Sequence, residues 1–167
     1  MTKIKYPYLP PGREIKYAPL SNEFMDEAKK ISEESICVKQ PTAAVVVKKG
    51  MVIGRSSIAG VKTNYCPRWS SPTGKNYEFC TEICKKDYHA EESAVKNAKK
   101  NGHDTKGADL YLYGHWWCCK PCWDAMIAGG INNVYLLKNS WKLFNPEINK
   151  EMKKWGKPPH ILKLCKK

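Results

Sequence analysis

Several features of membrane and secreted proteins are missing from this sequence. No run of apolar residues approaches the roughly 20 that a membrane-spanning helix needs. The opening stretch MTKIKYPYLPPGREIKY contains neither an apolar segment nor the small-residue cleavage site of a secretory signal. We therefore expect a cytoplasmic protein in a reducing compartment. There, the eight cysteines are better explained as metal ligands or buried thiols than as a disulfide framework.

Neither an internal repeat nor a second domain is evident in the chain. Its 167 residues, of which 42% are hydrophobic, suffice for one globular domain with a substantial core. The net charge of +13 could attract nucleic acid or phosphate-bearing small molecules. Because the basic residues are not interleaved with a regular aromatic platform, we interpret them as a solvated surface and do not expect nucleic-acid binding.

Hydrophobic periodicity and turn signals predict an alternation of helices and strands. After an extended lead-in over residues 1–20, Ser21 is expected to cap a helix that runs to about Cys37. Two strands then flank a tight turn at residues 48–50, and an irregular segment follows at residues 58–87. The remaining predicted helices span residues 89–101 and 120–130, with a short one at 146–155. The remaining strands, at residues 108–114 and 132–138, alternate with them. This order is typical of an α/β layered fold whose later strands run parallel.

Two short motifs carry the residue types of a metal site. His89 and Glu91 begin one predicted helix, and Cys119 and Cys122 begin the next, with a strand between them. In a parallel layered fold the N-terminal ends of such helices lie together at one edge of the sheet. One imidazole and two thiolates are one ligand short of a tetrahedral zinc shell, which leaves a position for water and a proton-handling role for Glu91. A thioredoxin-like redox pair is the alternative for the cysteines, but it leaves His89 and Glu91 unexplained.

The order and spacing of these motifs resemble the zinc-dependent nucleobase deaminases, whose signature is H-x-E followed by P-C-x-x-C. Here the corresponding stretches are residues 89–91 and 119–122. HAEESAVKNAKKNG, KGADLYLYG and CWDAMIAGGINNVYLL are similar to the core of the deoxycytidylate (dCMP) deaminase family. The resemblance implies a three-layer α/β/α cytidine deaminase-like fold with a mixed five-stranded sheet flanked by helices. It implies a single deaminase domain over residues 1–167, with its core at about 20–140 and a basic extension at 141–167.

The resemblance also implies a reaction, the conversion of dCMP to dUMP and ammonia for thymidylate synthesis. His89, Cys119 and Cys122 would hold a catalytic Zn²⁺ that lowers the pKa of water toward ~7, and Glu91 would move the protons. The resemblance further implies a homo-oligomer, a hexamer, that is regulated by dCTP and dTTP together with Mg²⁺. It also makes 5-substituted dCMP a candidate substrate. Two alternatives stay open, a tRNA adenosine or cytidine deaminase and a non-catalytic module stabilised by zinc.

The chain departs from the family pattern close to the predicted site. Cys118 stands where the family usually has proline, and the YGHWWCC connection is longer by a couple of residues. The asparagine that often follows the hairpin and contacts the nucleoside is absent from GRSSIAG, so Asn64 is the candidate substitute. Arg68, Ser70 and Ser71 are candidates to meet a 5′-phosphate. The residues expected to contact substrate are therefore Asn64, Arg68, Ser70, Ser71 and Ala90.

The irregular segment at residues 58–87 contains three further cysteines, two of them spaced as C-x-x-x-C. A loop of this length inside a compact fold is usually functional or held by a ligand. A second, structural zinc would hold its shape, with ligands Cys66, Cys80, Cys84 and either His115 or Cys118. Reduced, partly buried thiols are the other interpretation, and both stay open.

Overall fold

The structure is a computed structural model that describes residues 7–72 and 75–157. Its elements are, in chain order, β1 (Ile15–Ala18), α1 (Glu23–Ser32), β2 (Ala43–Lys48), β3 (Met51–Ser57), α2 (Glu78–Glu82), α3 (Ala90–Lys100), β4 (Asp109–Tyr113), α4 (Lys120–Ala128), β5 (Val134–Leu137), α5 (Ser140–Phe144) and a 3₁₀ helix (Lys150–Lys154). The first six residues of the predicted lead-in and residues 158–167 of the predicted extension lie outside the described residues. Within the described part, no helix is long and apolar enough to cross a membrane.

The five strands form one mixed sheet in the order β1-β5-β4-β2-β3. β1 and β4 each pair parallel with β5, whereas β2 pairs antiparallel with both β3 and β4. The hairpin between β2 and β3 turns at Lys49 and Gly50, which both have positive φ, as a tight type I′ turn requires. The predicted mixed five-stranded sheet is confirmed.

Side chains of β2 contribute to a buried core on each face of the sheet. Val45 lies in a buried cluster with Met25 of α1. The next residue, Val46, lies in a second cluster with Ala94 of α3 and Trp123 of α4. Because successive side chains of a strand point to opposite faces, the continuous apolar run supplies both cores. Each fully buried valine contributes about 1.5–3 kcal/mol, and the predicted three-layer α/β/α arrangement is confirmed.

The first helix differs from its predicted bounds at both ends. It is capped by Asn22 and not by Ser21, because the Asn22 side-chain oxygen accepts two backbone amide hydrogen bonds of the first turn. It ends at Ser32, well before Cys37. Short turn-type hydrogen bonds follow there, including one from the Ser35 amide to the Ser32 carbonyl, and these replace the helical pattern.

The two ends of the described chain hold elements that the sequence does not predict. β1 lies in the expected extended lead-in and pairs with β5, which places Ile15 opposite Val134. α5 follows directly after β5. The helix expected over residues 146–155 is a shorter 3₁₀ helix, which buries Met152. Since the Gly156 carbonyl accepts a hydrogen bond from the Cys66 amide at 2.7 Å, the described part of the extension packs onto the long loop.

A close approach between α3 and β3 fixes the helix that begins at the candidate site. A Cβ added at Gly54 in β3 would lie 2.4 Å from the Ala94 carbonyl oxygen and 2.6 Å from the Ala98 Cβ of α3. Only glycine permits this separation. Because His89 caps α3, the packing at Gly54 also sets the position of the first candidate metal ligand.

Candidate active site

The starts of α3 and α4 bring three metal-ligating side chains together. His89 is the N-cap of α3 and Cys119 is the N-cap of α4, and both residues have extended backbones (φ −81°, ψ 159° and φ −74°, ψ 163°). Cys122 lies in the first turn of α4. Since β4 connects the two helices, both N-terminal ends meet at one edge of the sheet, as the sequence predicts.

The distances within this group suit a single metal ion. The His89 Nδ1 lies 3.3 Å from the Cys119 Sγ and 3.3 Å from the Cys122 Sγ, and the two sulfur atoms are 3.2 Å apart. Ligands of one tetrahedral zinc are separated by roughly 3.5–3.8 Å, so small movements would accommodate the ion. Among the described residues this is the single group of three or more His, Cys, Asp or Glu side chains with such proximity. Its donors fit zinc, with one coordination position left for water.

The two sulfur atoms have unequal proton affinity in the absence of metal. The pKa of Cys119 is lowered to about 4, chiefly by the hydrogen bond from the Cys122 thiol and further by His89. The pKa of Cys122 is raised by the same hydrogen bond, in which it is the donor, and by burial. The group therefore already favours a thiolate at Cys119, the half-buried N-cap of α4, and a bound cation would favour a second at Cys122.

Glu91 lies beside this group in the first turn of α3. Its side chain is buried, with the residue only 5% exposed. Burial raises the pKa of its carboxyl group, an effect that the electrostatic interaction with His89 only partly offsets. A buried carboxyl group next to a metal site is the type of group that accepts and donates protons in acid–base catalysis.

Cys118 is completely buried next to Glu91. Burial raises the pKa of its thiol, and the Glu91 carboxylate raises it further. The extra cysteine of the CCKPC stretch is therefore a protonated thiol in the core, outside the group of three candidate ligands.

His115 lies near His89 and not with the cysteines of the long loop. Its Nδ1 accepts hydrogen bonds from the backbone amides of Trp116 and Trp117, at 3.1 and 3.3 Å. Burial, with the nearby charges of His89 and Lys86, lowers its pKa to about 3, so the ring is neutral. These two amide bonds occupy one ring nitrogen and fix the orientation of the ring.

The predicted second zinc site rests on three thiols of the long loop, Cys66, Cys80 and Cys84. Cys66 is buried beside Gly156, and burial raises the pKa of its thiol and that of Cys84. The Cys80 sulfur lies 4.0 Å from a guanidinium nitrogen of Arg68. In the described part of the chain these thiols form no second group at metal-ligand spacing. Cys66 and Cys84 each interact electrostatically with Cys80, whereas His115 interacts with His89. A second zinc held by the loop thiols therefore stays a prediction.

The residues expected to contact substrate differ in their burial and in the groups that they bond. Ala90 is buried directly after His89, whereas Asn64 and Ser70 are exposed on the long loop. Arg68 donates two hydrogen bonds to the Lys75 carbonyl, at 2.9 and 2.7 Å, and its guanidinium lies 3.7 Å from the centre of the Tyr77 ring. Ser71 accepts a hydrogen bond from Asn76. Arg68 and Ser71 thus hold the loop together.

Lys86 is a residue near the site that the sequence reasoning missed. It is half-buried three positions before His89, and its charge acts on both Glu91 and His115. Its place three residues before the H-x-E motif is the signal that could have identified it.

Comparison with known proteins agrees with this fold and this group of residues. The family model described as the cytidine and deoxycytidylate deaminase zinc-binding region matches residues 19–138. The dCMP deaminase of cyanophage S-TIM5, solved with dCMP and dUMP, is 18% identical, with 80% of this chain and 92% of that chain covered and a TM-score of 0.50. Its apo form gives 22% identity, 72% and 86% coverage and a TM-score of 0.49. The guanine deaminase of Bacillus subtilis is 24% identical, with 70% of this chain and 62% of that chain covered and a TM-score of 0.41.

The comparison with curated protein sequences found no match. The family model covers well over half of the chain, and its zinc-binding region includes all three candidate ligands at the starts of α3 and α4. The chain therefore belongs to the cytidine and deoxycytidylate deaminase zinc-binding family.

Proposed function

We propose that this protein is a zinc-dependent hydrolase that converts dCMP and water to dUMP and ammonia. The observation that carries the proposal is the buried Glu91 carboxyl group beside three zinc-type ligands. A structural zinc site is closed by four protein ligands, whereas a catalytic site keeps one position open. The buried acid and the open position together favour catalysis over a non-catalytic, zinc-stabilised module.

In this proposal His89, Cys119 and Cys122 hold the ion. When bound, zinc acts as a Lewis acid and lowers the pKa of a water molecule toward ~7. Glu91 accepts a proton from the attacking water and delivers it to N3 of cytosine as the water oxygen bonds to C4. Glu91 then carries the second proton to the amino group, so the C4–N bond breaks and ammonia leaves. Burial of Glu91 suits both steps because it raises the carboxyl pKa above its ordinary value, which favours the protonated form that donates.

The choice of a mononucleotide substrate draws on the family description and on one neighbour of similar fold. The cyanophage deaminase was solved with dCMP and dUMP. The wider proposal includes activity on 5-substituted dCMP, a homo-oligomer of hexamer type, regulation by dCTP and dTTP with Mg²⁺, and a cytoplasmic location. A reducing compartment would keep the ligand thiols available for zinc.

The second candidate is a tRNA adenosine or cytidine deaminase, which uses the same metal chemistry. The observation in its favour is the net charge of +13. It requires a nucleic-acid surface that continues from the site. Inhibition of dCMP turnover by tRNA, with a steep dependence on salt, would support this candidate.

The test compares substrates on purified, zinc-loaded protein. Deamination of dCMP, deoxycytidine and unmodified tRNA is followed by ultraviolet absorbance and, for tRNA, by base composition after digestion. We expect turnover of dCMP to exceed that of the other two. Turnover of tRNA alone would replace the mononucleotide proposal with the second candidate, and turnover of none would contradict both.

A further inference from the structure

Two aromatic side chains of the long loop remain in contact with solvent. Tyr77 is 49% exposed, and Trp69 is half-buried. Neither belongs to the two buried clusters that form the core on the faces of the sheet. Large aromatic rings that the fold leaves at the surface are enriched where proteins bind partners, so these two rings need a role outside the core.

Each of these rings has a cation against it. The Arg68 guanidinium carbon lies 3.7 Å from the centre of the Tyr77 ring, and the Lys157 ammonium nitrogen lies 5.5 Å from the centre of the Trp69 ring. The Lys39 ammonium donates to the carbonyls of Arg68 and Trp69, at 3.1 and 3.2 Å. The contacts join three cations and two rings into one cluster, the basic aromatic surface, which consists of Lys39, Arg68, Trp69, Tyr77 and Lys157.

Tertiary contacts bring this surface together from three separate segments. Lys39 follows α1, and Lys157 ends the described part of the extension. The Gly156 carbonyl accepts a hydrogen bond from the Cys66 amide at 2.7 Å. A Cβ added at Gly156 would lie 2.7 Å from the Cys66 Cβ and 3.2 Å from the Lys39 Cβ. Basic and aromatic residues that do not alternate along the sequence are therefore interleaved in space.

The positive charge of the surface is not neutralised by carboxylates. Within residues 7–72 and 75–157, no ion pair includes Lys39, Arg68 or Lys157. The exposed Glu78 and Glu82 of the neighbouring α2 form none with them either. Lys39 and Arg68 instead donate to backbone carbonyls, which hold the cations in place and leave their net charge unpaired. Such fixed charge attracts an anion that the protein does not supply.

We propose that the basic aromatic surface binds single-stranded nucleic acid. Surfaces that bind unpaired strands combine cations, which contact the phosphates, with aromatic side chains on which the bases stack. A duplex keeps its bases stacked on one another, so it cannot offer their faces to Trp69 and Tyr77. None of the five residues belongs to the group of candidate zinc ligands. The inference goes beyond the proposed deamination of a mononucleotide and does not depend on it.

The experiment measures the fluorescence anisotropy of a labelled oligothymidylate in the presence of the zinc-loaded protein. A length of about 12 nucleotides lies within the range that such surfaces cover. Thymine carries no amino group at C4, so this probe tests binding apart from deamination. We expect wild type to bind it with a Kd of about 1–100 µM at physiological salt, as is usual for sequence-independent binding. Excess dUMP, a ligand for the deamination site, should not displace the probe.

The variants separate stacking from charge. Tyr77→Ala should weaken binding by about fivefold to 150-fold through loss of one stacked base, whereas Tyr77→Phe should retain it. Lys157→Ala should lower the slope of log Kd against log salt by about 0.7, the value for one phosphate contact on a single strand. Trp141→Ala is the matched control, because Trp141 of α5 is 44% exposed and lies 5.2 Å from the Lys142 ammonium. It should bind the probe like wild type.

Several results would overturn the proposal. These are a wild type that does not bind the probe, displacement of the probe by dUMP, or unweakened binding by a Tyr77→Ala variant that retains its melting temperature. Equal affinity for a duplex of the same length, or an equal loss in Trp141→Ala, would show attraction by charge alone and would exclude the stacking role of Tyr77. A protein that binds the probe through Tyr77 but does not deaminate dCMP would contradict the proposed function and leave this surface supported.

Discussion

The contact between Gly54 and α3 gives a prediction whose size follows from the structure. In Gly54→Ala the new Cβ would lie 2.4 Å from the Ala94 carbonyl oxygen, about 1 Å short of the distance at which ordinary contact begins. The neighbouring contact with the Ala98 Cβ, at 2.6 Å, blocks a sideways escape. Neither neighbour is the end of a flexible side chain. α3 and β3 must therefore move apart.

Two effects are expected from this separation. Overpacking of this kind costs about 1–3 kcal/mol of unfolding free energy, and each kcal/mol lowers the melting temperature by roughly 2–4 °C in a chain of this size. Because α3 begins at His89 and carries Glu91, its displacement also disturbs the site. A misplacement of about 1 Å can cost up to a hundredfold in rate.

The assay measures the melting temperature and dCMP turnover of Gly54→Ala and of a control, Val52→Thr. Val52 lies in the same strand and is 40% exposed as a residue. Threonine keeps the β-branched shape, so the control should stay within about 0.5 kcal/mol of wild type. If Gly54→Ala matched wild type in both melting temperature and turnover, the reasoning that close α3–β3 packing positions the site would be refuted.

Three further predictions concern the acid, the metal and the extension. Glu91→Gln should lower kcat by about 10²–10⁴-fold with unchanged zinc content, measured by steady-state kinetics and metal analysis; wild-type kcat would remove Glu91 from the chemistry. Chelation should abolish turnover until zinc is restored, and lowering the pH should release zinc because protons compete for the thiolates; full activity in zinc-free protein would contradict this. Met152→Ala should lower the unfolding free energy by about 2–5 kcal/mol in urea denaturation, whereas exposed Lys153→Ala should not; equal stability would show that the extension does not pack as described.

Local patterns made the centre of the fold predictable from the sequence. The three layers and the mixed sheet follow from patterns along the chain. These are the strand and helix spacings of the apolar residues, the glycine turn of the hairpin and the alternation of elements. The group of His89, Cys119 and Cys122 was predictable because each motif marks the start of a helix, and parallel crossovers bring those starts together.

Long-range contacts explain what the sequence did not predict. β1 pairs with Val134 and its neighbours on β5, far along the chain, so no nearby turn marks it as a strand. His115 could not be separated from the loop cysteines by spacing, because two backbone amides of its own turn fix its direction. In the same way Arg68 looked free for a phosphate, although Lys75 and Tyr77 already engage it.

The central claim is that a zinc ion at His89, Cys119 and Cys122, with Glu91 as the proton carrier, deaminates dCMP. Its most direct test measures dUMP and ammonia released from dCMP by zinc-loaded wild type, zinc-free wild type and zinc-loaded Glu91→Gln. The account predicts equal amounts of dUMP and ammonia from zinc-loaded wild type and nearly none from the other two samples. Failure of the folded, zinc-loaded wild type to release either product would contradict it.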